Sequence, residues 1–121
     1  MEFMEKRQSK MTTVVKIAPG KRKEFLDAIG SLRDHKLKEK GITTSDWHED
    51  CHDPNRFHIM EEWESEEDLM RYCRTDMFRI FLGALKTLCV EADVGYEPHP
   101  GEPKRKVLAK FPSEDGRFAE I

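Results

Sequence analysis

The spacing of apolar positions changes along this chain, and each change marks an element boundary. Met11 to Ile17 is rich in β-formers and predicts a first strand, and Pro19 and Gly20 punctuate it, with Pro19 suited to the first turn of a helix. From Lys21 onward Phe25, Ala28, Ile29 and Leu32 recur at helical spacing. That pattern predicts an amphipathic helix of about five turns, closed by a lysine-rich last turn at Lys36, Lys38 and Lys40 and stopped by Gly41. Ile42 to Cys51 and Arg56 to Trp63 predict two strands of a hairpin, joined through the turn-forming run His52-Asp53-Pro54-Asn55. Ser65 then caps a short helix to Arg74, with Asp68 three residues later placed to answer its backbone N–H. Asp76 to Leu85 or a little beyond predicts a further helix, whose Phe78, Phe81, Leu82 and Leu85 form one apolar stripe. Leu88, Val90, Ala92, Val94 and Tyr96 alternate as a last strand.

The resulting order, βαββααβ, predicts an α+β domain of the split βαβ, ferredoxin-like kind, an antiparallel four-stranded sheet with helices on one face. Its other face then needs cover, because several strands carry apolar residues on both sides, with Val14 and Val94, or their neighbours one residue along, among those to be buried. A second copy of the chain, paired about a two-fold axis, is the expected cover. Residues 1–10 are polar and form a flexible N-terminal segment, residues 11–97 the domain, and residues 98–121 a C-terminal arm. Within the arm, His99-Pro100-Gly101-Glu102-Pro103 reads as a linker, Val107 to Phe111 has the β-character to add to a sheet edge, plausibly a partner's, and Pro112 to Gly116 is turn-like.

Composition narrows the class. A chain of 121 residues folds into one domain and buries about two-thirds of the surface its unfolded form exposes. A net charge of −3 and a pI near 6.0 give no general attraction to nucleic acid or to an anionic membrane, and Lys104-Arg105-Lys106 is too short a basic run to change that. The longest apolar run, Ile80 to Leu85, is too short to span a bilayer. Three cysteines without paired spacing fit a reducing compartment, so a soluble cytoplasmic protein is expected.

Two groups of side chains stand out as chemistry. Alternation on the third strand puts Phe57, Ile59, Glu61 and Trp63 on one side. A carboxylate there is costly alone, so Glu61 is either bonded to a neighbouring element or kept as an acid or base with a raised pKa. Large rings opposed across a sheet and helices predict a ligand pocket lined by Trp63, Tyr72, Phe78 and Leu82, with Glu61 near its polar end. The second group is His48, Cys51, His52 and His58. It lacks a structural-zinc spacing, and His48 and His52 would stand about 13 Å apart in an extended strand, so no metal is expected. His58 alternates with Met60 and is placed toward the other face. No glycine-rich phosphate loop follows a strand.

The junction Glu61-Glu62-Trp63-Glu64-Ser65, followed by Tyr72, Thr75 and Phe78, resembles that of the antibiotic biosynthesis monooxygenase family over residues 11–97. The resemblance implies a dimeric α+β barrel closed by two sheets. It also implies a cofactor-independent monooxygenase in which a quinol or another electron-rich aromatic, once deprotonated, passes an electron to O₂. Trp63 would wall the pocket with Phe57, Phe78 and Leu82, Tyr72 would bond the substrate oxygen, and Glu61 or His58 would relay the proton. Some relatives degrade heme, but Leu82 stands where their axial histidine would be and Thr13 where they use asparagine, so no cofactor is expected. The alternative is a non-catalytic dimeric module that binds a small ligand or assists another enzyme.

Overall fold

The computed structural model describes residues 8–98, 104–112 and 119–120, the last two as backbone. The elements run β1 (Ser9–Ile17), α1 (Arg22–Lys36), β2 (Ile42–Glu49), β3 (Arg56–Trp63), α2 (Glu66–Cys73), α3 (Asp76–Leu88), β4 (Cys89–Glu97), β5 (Lys106–Phe111) and β6 (Ala119–Glu120). They form one antiparallel sheet in the order β2-β3-β1-β4-β5-β6. The α+β ferredoxin-like fold expected from the pattern is present. Val107 to Phe111 extends it as a strand on the free edge of the same chain's β4. The expected linker from His99 to Pro103 and the turn-like segment after Pro112 lie outside the described residues.

One face of the sheet builds the core. Met11, Thr13, Val15 and Ile17 of β1 and Phe57, Ile59, Glu61 and Trp63 of β3 alternate inward and are buried. From above, α1 contributes Phe25 and Ile29, α2 contributes Leu69 and Tyr72, and α3 contributes Phe78, Phe81, Leu82, Leu85 and Leu88. A full-length Phe or Leu side chain removed from water in this way stabilises by about 1.5–3 kcal/mol.

Four local features differ from the sequence expectation. Pro19 does not open α1; Lys21 N–H bonds the Ala18 carbonyl, so Pro19 and Gly20 (φ +78°) occupy the two central positions of a type II turn. α1 ends at Lys36, four residues before the lysine run does, and Leu37–Lys40 turn down to Gly41. Gly41 serves this descent rather than a helix cap: its φ is +95°, and a Cβ there would collide with the Asp68 side chain. β2 stops at Glu49, because Asp50 and Asp53 turn the chain with side-chain acceptors for the His52 and Asn55 N–H groups. Finally, a register shift between Lys16 and Ile17 pairs Ile17 with Cys89, which turns Cys89 inward and leaves Val90 exposed, breaking the simple alternation read for β4.

The junction between β3 and the helices is tightly specified. Ser65 caps α2 by accepting from Asp68 N–H at 3.1 Å. The Asp68 carboxylate does not reach back to the Ser65 backbone as a capping box would; it accepts from the Ser65 hydroxyl and from Arg71 at 2.6 Å. Thr75 caps α3, its hydroxyl donating to the Tyr72 carbonyl at 2.7 Å and accepting from Phe78 N–H at 3.3 Å. One residue therefore sets the relation of Tyr72 to Phe78.

Candidate functional site

Glu61 sits in the inward row of β3 with no exposed surface, and its Oε2 accepts from the Lys36 ammonium. Lys36 itself is buried, at 4% exposure, so the last turn of α1 is not wholly the solvated lysine cluster its composition suggests. The ammonium also lies 4.5 Å from the Phe81 ring centroid and 5.5 Å from that of Tyr72. Ring faces and one carboxylate oxygen thus replace the water that a cation loses on burial. The first of the two readings for Glu61, a partner on a neighbouring element, holds for Oε2.

An aromatic column leads away from this pair. Trp63 stacks on Tyr72 with centroids 5.1 Å apart and planes at 27°, Tyr72 meets Phe78 edge-on at 5.5 Å, and Phe78 meets Phe81 at 6.1 Å. Leu82 is buried in the same layer. Burial, reinforced by the Glu61 charge, pushes the Tyr72 phenol well above its ordinary pKa. It stays protonated at neutral pH, so it has a proton to donate and no basic oxygen to offer. The same two causes push the Cys73 thiol up to about 12, leaving it inert as a nucleophile.

Beside the pair lie polar atoms without partners. Among the described residues the buried side-chain atoms lacking a hydrogen bond are Ser45 Oγ, Glu61 Oε1 and Trp63 Nε1. Ser45 on β2 stands directly opposite Glu61 in the strand register, and Trp63 is two residues along β3 on the same face. Against Ser45 opens a groove of about 430 Å³ between α1 and β2, lined also by Gly30, Arg33, Asp34, Asp46 and Trp47. Arg33 crosses it, donating to the Ser45 carbonyl at 2.8 and 3.3 Å with its guanidinium 5.9 Å from the Trp47 ring centroid.

Of the residues singled out from sequence, Glu61, Trp63, Tyr72, Phe78 and Leu82 are brought into this one layer. Phe57 shares their face but packs farther along it, edge-on to Phe25 at 5.7 Å and to Trp47 at 6.4 Å. His58 is on the opposite face, paired across the strands with His48 and Val14. No group of three or more His, Cys, Asp or Glu side chains among the described residues is placed to hold a metal. Lys36 and Ser45 were missed. Lys36 had a signal: it follows Phe25, Ile29 and Leu32 at spacings of four, three and four, in phase with the apolar stripe. Ser45 had none beyond its position opposite Glu61.

Comparison with known proteins agrees with the geometry. The family model for antibiotic biosynthesis monooxygenase matches residues 10–83. The Bacillus subtilis protein named "Putative monooxygenase YcnE" is 32% identical over 74 residues, covering 61% of this chain and 78% of that one. A conserved protein from Methanosarcina mazei superposes with a TM-score of 0.70 at 22% identity, over 76% of this chain and 92% of that one. A "Putative antibiotic biosynthesis monooxygenase" from Nitrosomonas europaea superposes with a TM-score of 0.70 at 14% identity, over 83% and 97% of the two chains. These two structural likenesses speak for the fold.

Proposed function

The chain belongs to the antibiotic biosynthesis monooxygenase family, and from that premise we propose that it is a cofactor-independent monooxygenase that oxidises a quinol or another electron-rich aromatic with O₂. The observation that carries this reading is the buried Lys36–Glu61 pair, with one carboxylate oxygen unpaired, set against the Trp63–Tyr72 stack. Glu61 Oε1 takes the proton of the substrate hydroxyl. The Lys36 ammonium then faces a negative substrate oxygen, and the protonated Tyr72 phenol donates to it; fixed donors in a dry layer favour that anion more than water would. Trp63 and Phe78 pack on either side of Tyr72 and hold its phenol in place. The electron-rich anion passes an electron to O₂, one oxygen atom enters the substrate, and the other leaves as water; the substrate supplies all the electrons and both hydrogens of that water, ending one oxygen richer and two hydrogens poorer. His58, on the far face of the sheet, takes no part within one subunit.

Oxygen uptake with a panel of reduced quinones and anthrones tests the reading. Uptake is expected with at least one of them, and Tyr72→Phe is expected to lower turnover by about a hundredfold, the lower end of the range for one lost transition-state donor. Stability should hardly change, because the Tyr72 hydroxyl makes no hydrogen bond among the described residues. No uptake across the panel would favour the second reading, a ligand-binding module, for which the open groove at Trp47 and Arg33 is the specific support.

A further inference from the structure

We infer that His48 and His58 together bind a first-row divalent transition-metal ion, of the zinc or nickel kind, on the sheet face away from the helices. Along the chain, His48 and His52 are spread apart by the extended strand. Across the strands, the β2–β3 register sets His48 directly opposite His58. Residues so opposed in an antiparallel pair point to the same face with Cβ atoms about 4.5–5.5 Å apart. Two imidazoles sharing one zinc ion need their ligating nitrogens about 3.3 Å apart, the span of two bonds of about 2.0–2.1 Å at a tetrahedral angle. Rotation of the two rings closes that difference without moving the backbone.

The backbone of the pair is fixed while its rings are free. The hydrogen-bond ladder continues one step past β2, where the Asp50 N–H donates to the Arg56 carbonyl at 3.0 Å. His48 is exposed and His58 half-buried, and neither imidazole is committed to a hydrogen bond or ion pair among the described residues.

The surroundings suit a cation that prefers nitrogen. Asp46 and Asp50 stand two residues before and after His48, on its side of the strand. Asp46 has no ion-pair partner among the described residues, and Asp50 uses Oδ1 to accept from the His52 N–H at 2.8 Å, leaving Oδ2 for a water on the metal. The neighbouring cations are Arg56 and Lys16, whose ammonium lies 3.9 Å from Asp53, and β1 sets only Val14 opposite His58. Magnesium and calcium require oxygen ligands and gain little from two imidazoles, whereas zinc and nickel favour them. The chain supplies two ligands and solvent the remainder, in keeping with the absence of a three-ligand cluster among the described residues.

A bound ion has a structural consequence. β2 is the outermost strand, held in the sheet by β3 alone. An ion shared by His48 and His58 ties the two strands together and stabilises the folded chain, because the unfolded chain does not hold the two rings side by side. The site lies across the sheet from Glu61 and is independent of the chemistry proposed there.

Titration calorimetry of the untagged full chain with NiCl₂ and with MgCl₂ at neutral pH tests the inference. Nickel is expected to bind saturably, one ion per chain, and magnesium not to bind. His48→Ala and His58→Ala should each weaken nickel binding by at least about tenfold, the lower end of the loss seen when even a group supporting a metal ligand is removed. His52→Ala and Cys51→Ser should bind as the wild type does. Circular dichroism checks that each variant is folded, and saturating nickel should raise the urea midpoint of the wild type but not that of His48→Ala. Undiminished binding by His48→Ala or His58→Ala would overturn the site, as would equal binding of magnesium or no saturable binding up to millimolar nickel. Binding lost in His52→Ala or Cys51→Ser instead would place the ion on the turn and equally overturn it.

Discussion

At the scale of single residues, Lys36 shows both the reach and the limit of pattern reading. Alternation correctly set Glu61 among Phe57, Ile59 and Trp63, and its burial demanded a partner. Pattern did not name that partner, because a lysine beside other lysines at a helix end is ordinarily solvated, and only the continuation of the Phe25–Ile29–Leu32 stripe pointed inward. The pair makes a thermodynamic prediction. Lys36→Met leaves the Glu61 charge buried without its counterion and should destabilise by about 3–5 kcal/mol in urea unfolding. Replacing both residues, Lys36→Met with Glu61→Met, removes both desolvated charges and should recover most of that loss. A double variant as unstable as the single would show that shape, not charge, dominates at this position.

At the scale of elements, the strands and helices were legible because period and cap agree within each of them. The exceptions have tertiary causes. The bulge makes Val90 an extra residue of β4 opposite the Lys16–Ile17 step of β1 and leaves it exposed, and no local feature of β4 announces it. Gly41 reads as a helix stop from its neighbours alone, yet its positive φ and missing Cβ answer to Asp68, 27 residues away by number. Asp68 links that turn to α2, and its titration should be visible in stability. The Arg71 guanidinium, then the Ser65 hydroxyl, hold its carboxyl below the ordinary carboxylate pKa. A group whose pKa is lower folded than unfolded stabilises above its unfolded value, near 3.9, and loses that contribution as pH falls through the folded value. The urea midpoint of the wild type should therefore exceed that of Asp68→Asn at pH 6, and the gap should narrow steadily below about pH 4. A gap independent of pH would assign the loss to packing against Gly41 instead of charge.

At the scale of the whole molecule, the order of strands β2-β3-β1-β4 followed from the element order, whereas the seat of β5 did not, since a short β-rich arm suits a partner's edge as well as its own. In the chain it occupies its own β4 edge, and Arg105 just before it lies flat over Gly95, bonding Asp93 at 2.8 Å and the Thr12 carbonyl at 3.1 Å. The arm thereby widens the helix-free face instead of covering it. On that face Val14 is half-buried and Met60 and Val107 are 37% and 38% exposed, set among charges of both signs such as Lys10 and its cross-strand neighbours Glu62 and Glu97. Apolar centres ringed by charges of both signs suit a self-complementary surface, in which each copy presents to its twin what it receives. A two-fold homodimer closed through this face is therefore expected, and light scattering at micromolar concentration should return twice the 14.2 kDa chain mass. Met60→Glu provides the decisive variant. Its side chain is already partly in water, so the monomer should fold normally, while a carboxylate at the interface centre should weaken association by at least about tenfold, the effect of roughly 1.4 kcal/mol. A wild-type chain that scatters as a monomer would remove the dimer altogether, and a Met60→Glu dimer of unchanged affinity would move its interface off this face of the sheet.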